Sequence, residues 1–286
     1  MTTYGLPYKG SKNKIADKIL EFIPSAENFV DVFAGGCAVT HAALLKGKWK
    51  RFFCNDVLNT PEAFLFAVRG GVEKLPVWIS KLEFLELQPS LLPSHILQKL
   101  IFSFGTNFRT YLYPPEKVKF KELSIRVITE EDPEKRRLLF KRCFEEFLNH
   151  PEVFGSLNSV RNCEILERRK RIKDLEKLSK LIHNAFLEKD GNFFPLRLDY
   201  RDWQPPENSV IYCDPPYSET EGYRGTGKFN TEEFWEWCRN QKNPVFVSEY
   251  SAPHDFVEVF QTERKCVFSS VGNKKYTVEK LFTKKT

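Results

Sequence analysis

The chain has 286 residues, of which 41% are hydrophobic, and a formal net charge of +6, which is enough apolar material for a full α/β core and a second, smaller domain. Its seven cysteines are an odd number scattered without a C-x-x-C pair, so a zinc site and a disulfide framework are both disfavoured and reduced thiols in a cytoplasmic protein are expected. The first residues lack the apolar core of a signal peptide and no later stretch is long enough to span a bilayer, so membrane and secretory functions are not expected, and a pI near 8.8 favours a polyanionic partner only mildly.

In chain order, Phe29 to Val39 reads as a short strand, a turn at Gly35-Gly36 and the start of a helix running through Leu44 and Leu45. Such a turn brings backbone N–H groups close to a ligand. It lacks the G-x-G-x-x-G pattern and no Walker Lys follows, so dinucleotide and nucleotide-phosphate binding are poorly supported. A second apolar run, Arg51-Phe52-Phe53-Cys54, ends at Asn55-Asp56. An acid there can bond both hydroxyls of a ribose, or it can cap the next helix, which Pro61 helps to start.

The stretch from Asp56 to Asp214 is too long for one crossover connection, so residues 62–190 are expected to form an inserted, mostly helical domain between catalytic segments 1–61 and 191–286. Within it, Phe104-Gly105-Thr106-Asn107-Phe108-Arg109-Thr110-Tyr111 mixes residue types that contact nucleic acid. Arg pairs with guanine and Asn with adenine in bidentate fashion, and an aromatic can wedge between base steps. The competing reading is a strand that supplies Phe to the core. From Pro133 to Leu148 an apolar face recurs among charges, as a helix requires. The run Arg168-Arg169-Lys170-Arg171 is either a phosphate-contacting patch or a solvated helix face.

The apolar run Val210-Ile211-Tyr212-Cys213 ends at Asp214-Pro215-Pro216-Tyr217, where a buried strand of an open α/β sheet would present its chemistry. Asp214 and the Pro215 carbonyl can each accept a hydrogen from an amino group on a flat ring. Pro215 and Pro216 stiffen the loop without adding donors, and Tyr217 offers a stacking face. The glycine-rich residues 218–228 that follow are expected to form a mobile loop closing over substrate, ahead of a helix near Thr231. The five histidines share no motif with an acid or nucleophile and read as structural.

Taken in order, Tyr8-Lys9-Gly10-Ser11-Lys12, Asp31-Val32-Phe33-Ala34-Gly35-Gly36, Asn55-Asp56 and Asp214-Pro215-Pro216-Tyr217 resemble the motifs of the Dam-like DNA adenine N6-methyltransferases, which use S-adenosylmethionine. Cys37 departs from the pattern, standing where many members have a further glycine, and a slightly tighter turn is expected. The resemblance implies a Rossmann-like methyltransferase sheet of parallel strands with one late antiparallel strand, carrying an inserted target-recognition domain. It implies a cofactor site of Tyr8, Lys12, Asp31, Phe33, Gly35, Asp56, Asp199, Tyr200 and Asp214. In that site Lys12 suits the methionine carboxylate, Asp56 the ribose and Phe33 the adenosine; Tyr200 either stacks on the cofactor adenine or belongs to the core. The catalytic set is Asp214, Pro215, Pro216 and Tyr217, and no metal is required. Phe104, Asn107, Arg109, Arg168 and Arg169 are the nominated DNA contacts. The implied partner is double-stranded DNA in a bacterial or phage-infected cell, with a companion restriction endonuclease as a further candidate and a monomer or weak dimer as the expected state. RNA adenine methylation, cytosine N4 methylation and a catalytically silent DNA-binding regulator are the alternatives.

Overall fold

The structure is a computed structural model that describes residues 3–88, 92–151, 164–181, 191–216, 229–265 and 276–285. The chain divides into two compact units, one of Met1–Gly5, Ser11–Pro61 and Leu181–Thr286, the other of Leu6–Gly10 and Glu62–Lys180.

The first unit is built on a seven-stranded sheet. Its strands are β1 (Asn28–Asp31), β2 (Arg51–Asn55), β3 (Phe193–Leu196), β4 (Ser209–Cys213), β5 (Val245–Glu249), β6 (Phe256–Lys265) and β7 (Tyr276–Lys284), in the spatial order β3-β2-β1-β4-β5-β7-β6. β1 pairs in parallel with β2 and β4, β2 with β3, and β4 with β5, whereas β7 runs antiparallel to both neighbours. This is the parallel sheet with a late antiparallel strand that the family resemblance implies. β1, β4 and β5 are buried throughout, as central strands covered on both faces must be, which is why they read as continuous apolar runs.

Alternation along these strands divides the side chains between two faces. Val30, Val32, Ile211, Cys213, Val245 and Val247 form one core with Phe234, Trp235, Trp237 and Cys238 of the helix Thr231–Asn240, whose Asn230 cap accepts from the Glu233 N–H. Asp31 lies on the other face, toward α2 (Ala38–Lys46), which packs on β1 and β2 and against α1 (Ala16–Phe22). The strand order reverses between β1 and β4, so their carboxyl ends border the crevice where sheets of this kind bind ligands.

The described part of the second unit is helical apart from an isolated bridge between Ser103 and Tyr111. It includes α3 (Thr60–Val68, which starts at the unit boundary), α4 (Lys81–Glu86), α5 (Pro93–Phe102), α6 (Pro115–Thr129), α7 (Pro133–Asn149) and α8 (Glu164–Lys173). α7 starts where its sequence says it should: Pro133 fills the first position and the Asp132 side chain accepts from the Glu134 and Lys135 N–H groups. α6 and α7 pack through Phe120, Leu123, Val127 and Cys143, with Leu139 and Phe147 at the margin.

Candidate active site

The turn after β1 is held by side chains of its own unit. Gly35 has φ 49° and Cys37 φ 59°. Cys37 thus adopts the left-handed conformation that glycine takes at little cost, which costs a residue with a Cβ roughly 1–2 kcal/mol. Gly35 N–H donates to Asp56 Oδ2 at 2.8 Å, and Leu58 N–H donates to Asp56 Oδ1 at 2.8 Å. Asp56 therefore ties the β1 turn to the segment after β2, and burial pushes its carboxyl up to about 6 against those two bonds.

Gly5, which the sequence reading passed over, completes this turn together with His41 and Asn55. Gly5, at φ 66°, leaves no room for a side chain, since a Cβ there would lie 2.3 Å from the Gly36 carbonyl oxygen. Its N–H donates to His41 Nδ1 at 3.0 Å, so that histidine is structural, as expected. Asn55 donates to the Val32 and Leu198 carbonyls at 3.1 and 3.0 Å and accepts from the Leu198 N–H at 2.9 Å, fastening the carboxyl ends of β1, β2 and β3.

Asp31, the last residue of β1, is 1% exposed. Its Oδ2 accepts from Thr40 Oγ1 at 2.6 Å, whereas Oδ1 is buried with no hydrogen-bond partner. Burial is the main cause that lifts its carboxyl to about 7; the charges of Asp214 and Asp56 add to it and the Thr40 bond opposes it.

Asp214 is the first residue beyond β4, and its side chain is 21% exposed. The Lys12 ammonium donates to both of its oxygens, at 2.7 and 2.9 Å, and lies 3.6 Å from Glu279 Oε2 of β7. Each carboxylate oxygen has two lone-pair sites, so a carboxylate can accept from more than one donor. The sequence matched Lys12 to a cofactor carboxylate; its partners among the described residues include Asp214 and Glu279. Glu249, at the end of β5, is 5% exposed. Burial first, then the Asp214 and Glu279 charges, push its carboxyl up to about 7, opposed by its bond from the Tyr250 N–H and by the Lys12 charge. Pro215 is buried and Pro216 half-buried. Tyr217 and the glycine-rich stretch 218–228 lie outside the described residues.

The Phe33 and Tyr200 rings are 5.3 Å apart, and both meet Phe229 and Phe234. Tyr200 also meets the Trp237 ring edge-on at 5.6 Å. Phe33 is half-buried and Tyr200 buried, so Tyr200 is a core residue in this structure. Asp199 accepts from the Arg201 N–H and guanidinium at 2.7 to 3.0 Å; that pairing is the main cause of its lowered pKa. Tyr8 falls in the second unit, where its ring meets Phe108 at 5.7 Å.

In that second unit, Phe104 to Thr110 form a closed loop rather than a core strand. Phe104 N–H donates to the Thr110 carbonyl at 2.7 Å, and Asn107 Oδ1 accepts from the Arg109 and Thr110 N–H groups at 2.9 and 3.0 Å. The Asn107 oxygen is thus spent on the turn, while Arg109 is exposed and Phe104 is 60% exposed.

The basic run is corrected for Arg168. Its side chain is 8% exposed, one nitrogen donates to the Leu100, Ile101 and Ser103 carbonyls at 2.9, 2.9 and 2.6 Å, and the other pairs with Glu164. These include carbonyls that the end of α5 leaves without intrahelical partners. Arg169 likewise donates to the Pro76, Val72 and Leu75 carbonyls. Both guanidinium groups are engaged by backbone inside the unit; Arg168 is thereby neither a phosphate contact nor part of a solvated helix face, and Arg169 is half-buried. The signal lay in the spacing, because Ile165 and Ile172 bury one face of α8 and residue 168 falls on it.

The family model for D12 class N6 adenine-specific DNA methyltransferases matches residues 8–246. The chain belongs to that family. It is therefore an enzyme, a methyltransferase acting on adenine, and methyltransferases in general draw on S-adenosylmethionine. A search of curated proteins finds no match. Among solved structures the chain is similar to a candidate RNA methyltransferase, PH1948 from Pyrococcus horikoshii, at 10% identity and a TM-score of 0.39, over 96% of this chain and 85% of that one. Among the described residues no helix is long and apolar enough to cross a membrane, and no cluster of His, Cys, Asp and Glu is arranged to hold a metal ion.

Proposed function

We propose that the protein is a site-specific DNA adenine N6-methyltransferase that acts on an adenine flipped out of the duplex. The observation that carries this reading is the position of Asp214, fixed by a buried lysine just past the end of β4 and beside the strand-order reversal. The first unit would hold S-adenosylmethionine and the second would recognise DNA. The β1 turn fits the cofactor: the partnerless Asp31 oxygen is an acceptor suited to an ammonium group, Asp56 borders the turn as a ribose partner would, and Phe33 supplies an apolar surface. The cofactor, when bound, supplies a sulfonium methyl group.

Flipping costs a few kcal/mol, which contacts to the extruded base must offset. Tyr217 would stack on that base, a contact worth ~1–3 kcal/mol. Asp214 and the Pro215 carbonyl accept the two amino hydrogens, which turns the nitrogen lone pair toward the methyl group. The rate then comes from positioning and from stabilising the charge that develops on nitrogen. Phe104 and Arg109, exposed on a stiff loop, are candidates for wedging and base reading.

Incubating the purified protein with labelled S-adenosylmethionine and either duplex DNA or structured RNA, then separating the nucleosides, tests the proposal. Label in N6-methyladenine from DNA is expected. Label confined to RNA, or to N4-methylcytosine, overturns it.

A further inference from the structure

The sheet end behind Asp214 carries more charge than the proposed transfer uses. Lys12 is 3% exposed, and Glu249 and Glu279 are each 5% exposed. Buried charges persist only when they are paired and hydrogen-bonded. Lys12 Nζ has three hydrogens. It donates to both Asp214 oxygens and stands 3.6 Å from Glu279 Oε2, so the ammonium lies between two carboxylates.

We propose that Glu279 is a positioning residue for methyl transfer: from β7 it holds the Lys12 ammonium against both oxygens of Asp214, and so fixes the plane in which Asp214 accepts the amino hydrogen. A carboxylate turns readily about its last torsion, which has broad wells, and a bidentate ammonium removes that freedom. Lysine is itself a flexible stem with a compact point charge, so its own position needs a second anchor. Glu279 supplies it from a rigid element, since β7 pairs along both sides, with β5 and with β6. Glu279 therefore acts through Lys12 without touching substrate. This inference rests on the methyltransferase reading of Asp214.

Single-turnover methyl transfer to duplex DNA, measured for Glu279→Gln, Glu279→Asp, Lys12→Gln and the Lys12→Gln/Glu279→Gln double variant, tests it. The expected result is a rate at least about tenfold lower in Glu279→Gln, partial recovery in Glu279→Asp, and no further fall when Glu279→Gln is added to Lys12→Gln. Calorimetric affinity for S-adenosylhomocysteine should stay near wild type in Glu279→Gln, which a general structural defect would not allow. An unchanged rate, or losses that multiply independently in the double variant, overturns the proposal. A second readout needs no catalysis: acetylation of Lys12 by acetic anhydride, followed by mass spectrometry, should be much faster in Glu279→Gln than in wild type. Equal labelling also overturns the inference, whereas a wild-type protein that methylates no DNA overturns the proposed function and leaves the labelling result to decide the role of Glu279.

Discussion

At the residue scale, burial holds Asp31 near a pKa of about 7 when the same group in an unfolded chain would titrate near 3.8. Between those values the folded protein keeps a proton that the unfolded chain has released. The stability this contributes is full below about pH 4 and is lost as pH rises through 7. The difference corresponds to roughly 4 kcal/mol at most. Urea unfolding at about pH 5 and about pH 7.5 should show Asp31→Asn gaining stability relative to wild type as pH rises. Asp56 and Glu249, also raised by burial, slope the same way in both proteins and cancel in the comparison. A pH-independent difference would mean that Asp31 is not held neutral. At Tyr217, Tyr217→Ala should lower turnover by roughly tenfold or more, from the ~1–3 kcal/mol of stacking, while calorimetry finds cofactor affinity near wild type. Loss of cofactor affinity would move Tyr217 out of the base-stacking role.

At the scale of elements, α8 shows how a basic run misleads. Read linearly, Arg168-Arg169-Lys170-Arg171 is a charged patch; wrapped at 3.6 residues per turn it is three guanidinium groups donating to backbone carbonyls and an exposed lysine. Arg168→Ala removes the donor to three carbonyls, and each buried group left unpaired costs about 1–3 kcal/mol. Unfolding of Arg168→Ala in urea should therefore show a loss of several kcal/mol, whereas Lys170→Ala should stay within about 0.5 kcal/mol of wild type. Equal effects would return Arg168 to the surface. β1 and β4 were legible because both-face burial writes an apolar run that stops at a polar residue, at Asp31 and Asp214. The shape of the loop at 104–110 was not legible, because two residues other than glycine or asparagine take a positive φ that composition does not signal. These are Thr106 and Phe108, at φ 54° and 62°.

At the scale of the whole molecule, a parallel sheet with one late antiparallel strand was legible through the family resemblance, but the pairings that finish the site join residues far apart in sequence. Lys12 meets Asp214 across 202 positions, and Asn55 meets Leu198 across 143. A lysine near the start of a chain carries no local sign of which acid it will reach. Gly5 and Glu279 were missed for the same reason, since their importance lies in what packs beside them.

The two compact units allow a prediction about how labour is divided between them. A ligand that binds only the folded state stabilises it by RT ln(1 + [L]/Kd), about 2.7 kcal/mol at a hundredfold excess over Kd. For a chain of this size that corresponds to a rise in Tm of roughly 4–5 °C. S-adenosylhomocysteine should produce such a rise in wild type and in Arg109→Ala, because Arg109 belongs to the second unit, and should produce much less in Asp56→Asn. Binding to duplexes carrying single mismatches should show the reverse. Arg109→Ala should lose roughly 1–3 kcal/mol of discrimination at one position if its guanidinium reads a base edge, and Asp56→Asn should keep the wild-type pattern. A variant that loses both properties together would mean that cofactor and DNA recognition are not separable between the units, and an Arg109 variant with unchanged mismatch penalties would remove that residue from the recognition surface.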